Sequence, residues 1–134
     1  GKSMAAAFAL GAEGIQMGTR MVSAKESPVH SNWKESIVNA QETDTVFLNK
    51  FHSPALRALK TEKTSVLEKA SDRNIMEDFG DPIKLYFEGD MEAAIPLSGQ
   101  VAGRIQSVES VEVILHNVKK EFFTALESLS KKYL

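Results

Sequence analysis

Cysteine is absent from the 134 residues, which excludes disulfide staples, thiolate metal ligands and cysteine nucleophiles together. Long hydrophobic runs are missing too. The longest, Met4 to Ala12 with Gly11 inside it, is far short of the roughly 20 apolar residues a membrane span needs. It also lacks a signal-peptide layout, because Lys2 is a lone positive charge and no cleavage-type tail follows. Neither sign of charge dominates. Sixteen Lys and Arg against eighteen Asp and Glu give a formal net charge of -2, so no global basic field calls for nucleic acid. Histidine is limited to His30, His52 and His116, and the last two have no partner spacing for a metal. What remains is the ordinary balance of a globular chain, 43% hydrophobic and 25% charged, with room for about one domain. The expectation is a soluble, cytoplasmic protein without a metal, a membrane segment or a nucleic-acid partner.

Gly1 to Gly11 reads as a short helix, since Ala5 to Leu10 are mostly strong helix formers and Gly11 is a natural left-handed stop. Its small residues predict close packing against another element. In Glu13 to Met21, Ile15 and Met17 alternate with Gln16 ahead of Gly18, the pattern of a short buried strand. Helix, tight turn and strand make one α-to-β step of an α/β protein. Pro28 then breaks the chain. Asn32-Trp33-Lys34-Glu35 has the spacing of a capping box, with Trp33, Ile37 and Ala40 on one face of a helix ending near Gln41. Thr45 to Leu48 is a brief β-favouring run, and Pro54 precedes a second helical stretch. Val66, Leu67 and Ala70 form a narrow stripe in the charged segment Thr61 to Asp78. Gly80, Pro82, Gly89 and Pro96 punctuate a short helix between loops. The whole middle region reads as a small helical insert.

The last segment has the clearest period. From Ser107 onward, Val108, Val111, Leu115, Val118, Phe122, Leu126, Leu129 and Tyr133 recur at steps of three and four. Glu109 and Glu112 near its start and Lys131 and Lys132 at its end suit the helix dipole. Two readings stay open for this stripe: packing against a sheet of its own fold, or a coiled-coil seam with a partner. One convincing strand and one doubtful one cannot build a sheet, and Ile15 to Met17 would be left with an unpaired edge. The expectation is a C-terminal piece of something larger, or a chain that folds by adding to another.

Gly1-Lys2-Ser3-Met4-Ala5-Ala6-Ala7-Phe8-Ala9-Leu10-Gly11-Ala12-Glu13-Gly14-Ile15-Gln16-Met17-Gly18-Thr19-Arg20 closely resembles the end of the barrel in the nitronate monooxygenase family. That family, formerly called 2-nitropropane dioxygenase, includes the flavin-dependent enoyl-acyl-carrier-protein reductases. The likeness continues through Ala24 to Ser27, His30, Trp33-Lys34, Asp44-Thr45, Arg57, Glu88-Gly89-Asp90 and Ser98 to Gly103. It covers nearly the whole chain in order and is weakest between Lys60 and Lys84.

The resemblance implies an α/β fold, the C-terminal fragment of a (β/α)8 TIM barrel with a mainly helical lid insert, mostly helical as an isolated chain. On that mapping residues 1–24 end the barrel, with Gly1 to Leu10 the seventh helix and Gly14 to Met17 the eighth strand. Residues 25–97 are the lid, and 98–134 are the return segment and closing helix. The implied cofactor is FMN, because barrel flavoproteins place a phosphate after the last strand. There Gly18 and Thr19 would hold the phosphate, with Gln16 and Met17 lining the same end. Gly99 and Gln100 would return to the flavin edge. The bland alternatives are that Gly18 is a strand-ending turn and Gln100 a loop residue in water. A cradle of this kind needs a second Gly-Gly loop, which in the family follows the seventh strand and is not in this chain. The family's catalytic His also lies on an upstream strand, so His30 reads as structural. Arg20 and Arg57 could attract a carrier protein or a pyridine-nucleotide phosphate, against a solvated or salt-bridged role for each. The implied reaction is oxidation of small alkyl nitronates with O2. Its alternative is reduction of an enoyl thioester with NAD(P)H as a further partner. A third reading is a non-catalytic fragment or assembly module, paired as a homodimer through the stripe of the last helix.

Overall fold

The computed structural model describes residues 1–70 and 73–134, so Ser71 and Asp72 of the charged segment lie outside the described residues. The chain forms two compact units, Gly1–Met17 with Glu109–Leu134, and Gly18–Val108.

The first unit holds helix α1 (Lys2–Ala9) and, at the far end of the chain, helix α5 (Val111–Tyr133). Gly11, at φ +97, ends the first of these as expected, and the Ala12 N–H reaches back to the Ala7 carbonyl at 3.0 Å. Helix α5 begins at Ser110, whose hydroxyl accepts the Val113 N–H at 3.3 Å. Ala5 is buried, and Phe8 meets Phe122 edge-on with ring centroids 5.4 Å apart. The expected stripe of α5 is covered only in part. Ile114 is buried and Val111, Val118, Phe122 and Ala125 are half-buried, while Leu115, Leu126, Leu129 and Tyr133 are exposed. The reason is length. The 8 residues of α1 rise about 12 Å, against about 34 Å for the 23 of α5.

Gly14 to Met17 does not form the expected buried strand. These residues carry no ladder, Gln16 is exposed and Ile15 is 42% exposed. A strand exists only through a hydrogen-bonded neighbour, and the one sheet among the described residues lies in the other unit.

That second unit contains α2 (Thr19–Val22), α3 (Ser31–Asn39), strands β1 (Thr45–Leu48) and β2 (Leu56–Leu59), and α4 (Glu62–Leu67). A 3-10 turn (Ile75–Asp78), a π-helical turn (Lys84–Glu88) and a 3-10 helix (Gln100–Arg104) follow. Helix α3 buries Trp33 and Ile37 as its spacing predicts. Its cap differs from the expectation: His30 Nδ1 accepts the Asn32 N–H at 3.2 Å, and Asn32 lies inside the helix, donating from its side chain to the Gly89 carbonyl at 2.9 Å.

The helical stretch expected after Pro54 starts only at α4 (Glu62–Leu67), and the chain before it is strand β2. It pairs antiparallel with β1, Thr45 opposite Leu59 and Val46 opposite Ala58, and Leu97 bridges to Ala58 on its other side. Four residues are too few for a stable helix on propensity alone, whereas pairing on both edges buries Ala58 and Leu59. The second unit is therefore helical around a small hairpin. Its core gathers Trp33, Ile37, Leu59, Leu85 and Ala102 in one cluster, and Val46, Leu48, Ala58, Ile75 and Ile95 in another.

Candidate functional site

Thr19 is the first residue of α2 and Gly18 its cap. The Gly18 carbonyl accepts the Met21 and Val22 N–H groups at 2.8 and 3.1 Å, and no side chain caps the helix start. Across the unit, the Gly99 N–H donates to Thr19 Oγ1 at 2.8 Å, joining segments 80 residues apart. Thr19, Gly99 and the neighbouring Gln100 thus come together, with Gln100 exposed. Gln16 and Met17 fall in the first unit, so of the six residues expected at this site the second unit assembles Gly18, Thr19, Gly99 and Gln100.

Among the described residues, no backbone crowds two of the glycines here. A Cβ at Gly18 would meet nothing within 4 Å, and one at Gly99 would meet only Thr19 Oγ1, at 3.4 Å. Gly103 is a contrast, since a Cβ there would lie 2.5 Å from the Glu42 nitrogen. The corner therefore brings together a hydroxyl and backbone N–H groups at a turn, with open space beside Gly18. Beside Gly99, the buried Ser98 donates its N–H to the Arg57 carbonyl at 3.0 Å, while its hydroxyl has no partner among the described residues.

Arg20 serves the fold. Its Nη1 donates to the Ser107 carbonyl at 2.7 Å and to Ser23 Oγ at 3.2 Å, and Ser23 Oγ donates to the Arg20 carbonyl at 2.8 Å. Arg57 lies 5.4 Å from the centre of the Phe47 ring and donates to Thr45 Oγ1 at 3.2 Å. His30 caps α3, and His52 and His116 are exposed. Among the described residues no group of three or more His, Asp or Glu could hold a metal, and no helix is long and apolar enough to cross a membrane. Sequence reasoning missed the Thr19–Gly99 bond and the Arg20–Ser107 clamp. No local signal could reveal either, because the partners are 80 and 87 positions away.

Residues 1–121 match the nitronate monooxygenase (NMO) family, and the chain belongs to that family. A probable nitronate monooxygenase of Staphylococcus aureus (strain JH9) is 29% identical over 124 residues, covering 88% of this chain and 35% of the relative. The counterpart in strain MRSA252 gives the same 29% over 124 residues. The structure of FabK from Thermotoga maritima superposes with a TM-score of 0.90 at 38% identity, over 100% of this chain and 44% of that one. A mutant of the same protein gives a TM-score of 0.83 over 100% of this chain and 42% of the other. The chain thus spans 35% of its curated relatives' length and has the fold of part of FabK.

Proposed function

We propose that this chain is the C-terminal part of an FMN-dependent oxidoreductase built on a (β/α)8 barrel. In this reading residues 1–24 end the barrel, 25–97 form the lid, and 98–134 return to close it. The observation that carries the reading into chemistry is the bond from Gly99 to Thr19 Oγ1, flanked by two glycines whose Cβ positions stand in open space or against that hydroxyl alone. FMN fits this corner by donor type and by room. The Thr19 hydroxyl and the N–H groups of Gly18 and Thr19 would bind the phosphate. Gly99 would let the ring approach, and the exposed Gln100 amide would orient ring or substrate. When bound, FMN supplies electron transfer between donor and acceptor. A second phosphate loop and the catalytic His belong to upstream polypeptide.

Reduction of an enoyl thioester by NAD(P)H is the favoured reaction, because the likeness to FabK reaches 38% identity against 29% for the probable nitronate monooxygenases. Oxidation of alkyl nitronates with O2 is the second reading, supported by the family match over residues 1–121. Purified full-length protein should be yellow and should consume NADH with a crotonyl thioester. Oxygen uptake with propyl-2-nitronate and no crotonyl-dependent NADH loss would select the second reading. Protein that retains no flavin would overturn both.

A further inference from the structure

A threonine hydroxyl has one proton to donate and two lone pairs with which to accept. In Thr19 one lone pair is taken by the Gly99 N–H at 2.8 Å, which leaves the proton for an acceptor other than that amide. The same bond fixes the start of the next element. Gly99 is the N-cap of the 3-10 helix Gln100–Arg104, at φ −79 and ψ 166, and its carbonyl accepts the Ala102 N–H at 3.1 Å. The far end of that helix is held independently. Ala102 is buried in the core, and Gly103 sits so close to the Gln41–Glu42 backbone that any side chain would collide with it. Upstream, the Ser98 N–H is tied to the Arg57 carbonyl at 3.0 Å. Arg20, the residue after Thr19, grips the Ser107 carbonyl at 2.7 Å and so secures the end of the return segment to the same short helix. Gln100 stands one residue from the Thr19 bond, exposed between these anchors.

We propose that Thr19 is a positioning residue for Gln100: its hydroxyl oxygen sets where Gln100 stands, while its hydroxyl proton is left for the anionic end of the cofactor. The proposal rests on the FMN reading above and deepens it, since one side chain then links phosphate binding to placement of the group facing ring or substrate. Gly99 is the bridge between the two.

The test uses the full-length protein with Thr19→Val, which keeps the shape and removes the oxygen, and Thr19→Ser, which keeps the oxygen. Hydrogen–deuterium exchange is followed over residues 98–104 without flavin. Thr19→Val should raise exchange there roughly tenfold, the scale of one hydrogen bond, and Thr19→Ser should leave it near wild type. FMN affinity is then measured across a cycle with Gln100→Ala. Loss of the Gln100 side chain should weaken binding in the wild-type background and have little further effect in Thr19→Val. Unchanged exchange in Thr19→Val, or an equal Gln100→Ala loss in both backgrounds, would overturn the proposal. Should Thr19→Val fail to fold, Thr19→Ala is the second variant: it also removes the acceptor oxygen of the Gly99 bond and should show the same exchange gain and the same coupling. Wild-type protein that binds no FMN would sink the functional reading, while the exchange arm would still decide the role of Thr19.

Discussion

Asn49 shows how much of the hairpin rests on one side chain. It is buried at φ +57, a left-handed conformation that asparagine tolerates better than most residues. Its Nδ2 donates to the Pro54 carbonyl at 2.9 Å and to Asn74 Oδ1 at 3.0 Å, and its Oδ1 accepts the Ile75 N–H at 3.1 Å. One amide thus closes the loop after β1 and docks the 3-10 turn on it. Asn49→Ala should lose about 2–4 kcal/mol, combining backbone strain with a stranded buried N–H. Asn49→Gly should lose less, because it keeps the backbone conformation. Urea unfolding of both variants checks the order, and equal losses would show that the hydrogen bonds alone matter. The same kind of distant partner explains why the cap of α3 was not legible. By residue type Asn32 is the better N-cap, but its amide is committed to the Gly89 carbonyl 57 positions away, and the chain enters the helix earlier, at His30.

At the scale of elements, α3 and the π-helical turn act as a pair. The His30 N–H donates to the Tyr86 carbonyl at 2.7 Å, the Trp33 and Tyr86 rings meet edge-on at 4.9 Å, and Gly89 closes the turn at φ +74 against the His30 ring. A Cβ at Gly89 would lie 2.2 Å from His30 Nδ1. Gly89→Ala should therefore cost about 2–4 kcal/mol, and His30→Ala about 1 kcal/mol through the lost cap. The double variant should be more stable than the sum of the two losses predicts, because the collision is gone. Thermal melts of the three proteins test this, and strict additivity would place the cost in the backbone of Gly89 alone. A smaller effect is expected at the start of α5, where Ser110→Ala should remove about 1 kcal/mol with the bond to Val113. These elements divide by how local their causes are. The helices α1, α3 and α5 follow from periodicity and from Gly11, all within a few residues. Strand β2 and the π-helical turn do not, since β2 becomes a strand through β1 and Leu97, and the turn is set by Asn32 and His30. At the candidate site, Gly18-Thr19 and Gly99-Gln100 were legible as separate segments, but their junction was not.

For the molecule as a whole, the question is what the exposed apolar surface of the first unit needs. Leu126 and Leu129 on α5 are 41% and 53% exposed, and between α1 and α5 runs a groove of about 860 Å³ lined by Ala5, Ala6, Ala9, Ala125 and Leu129 among others. Contiguous apolar surface of this kind marks a face that is normally covered. Among the described residues, 12–17 pair with no strand, and the chain spans 44% of the FabK structure it resembles. Expressed alone, the 134 residues should therefore self-associate, and Leu126→Glu with Leu129→Glu should shift them toward monomer in sedimentation. The same isolated chain should pass through gel filtration colourless after incubation with FMN. The Gly18–Thr19 corner offers donors to one end of such a ligand, but a flavin held at one end, in contact with water along its ring, gains little from burial. A monomeric, yellow preparation with bound FMN would mean that the lid and return segment alone bury the ring, and the upstream polypeptide would then be needed for turnover rather than for binding.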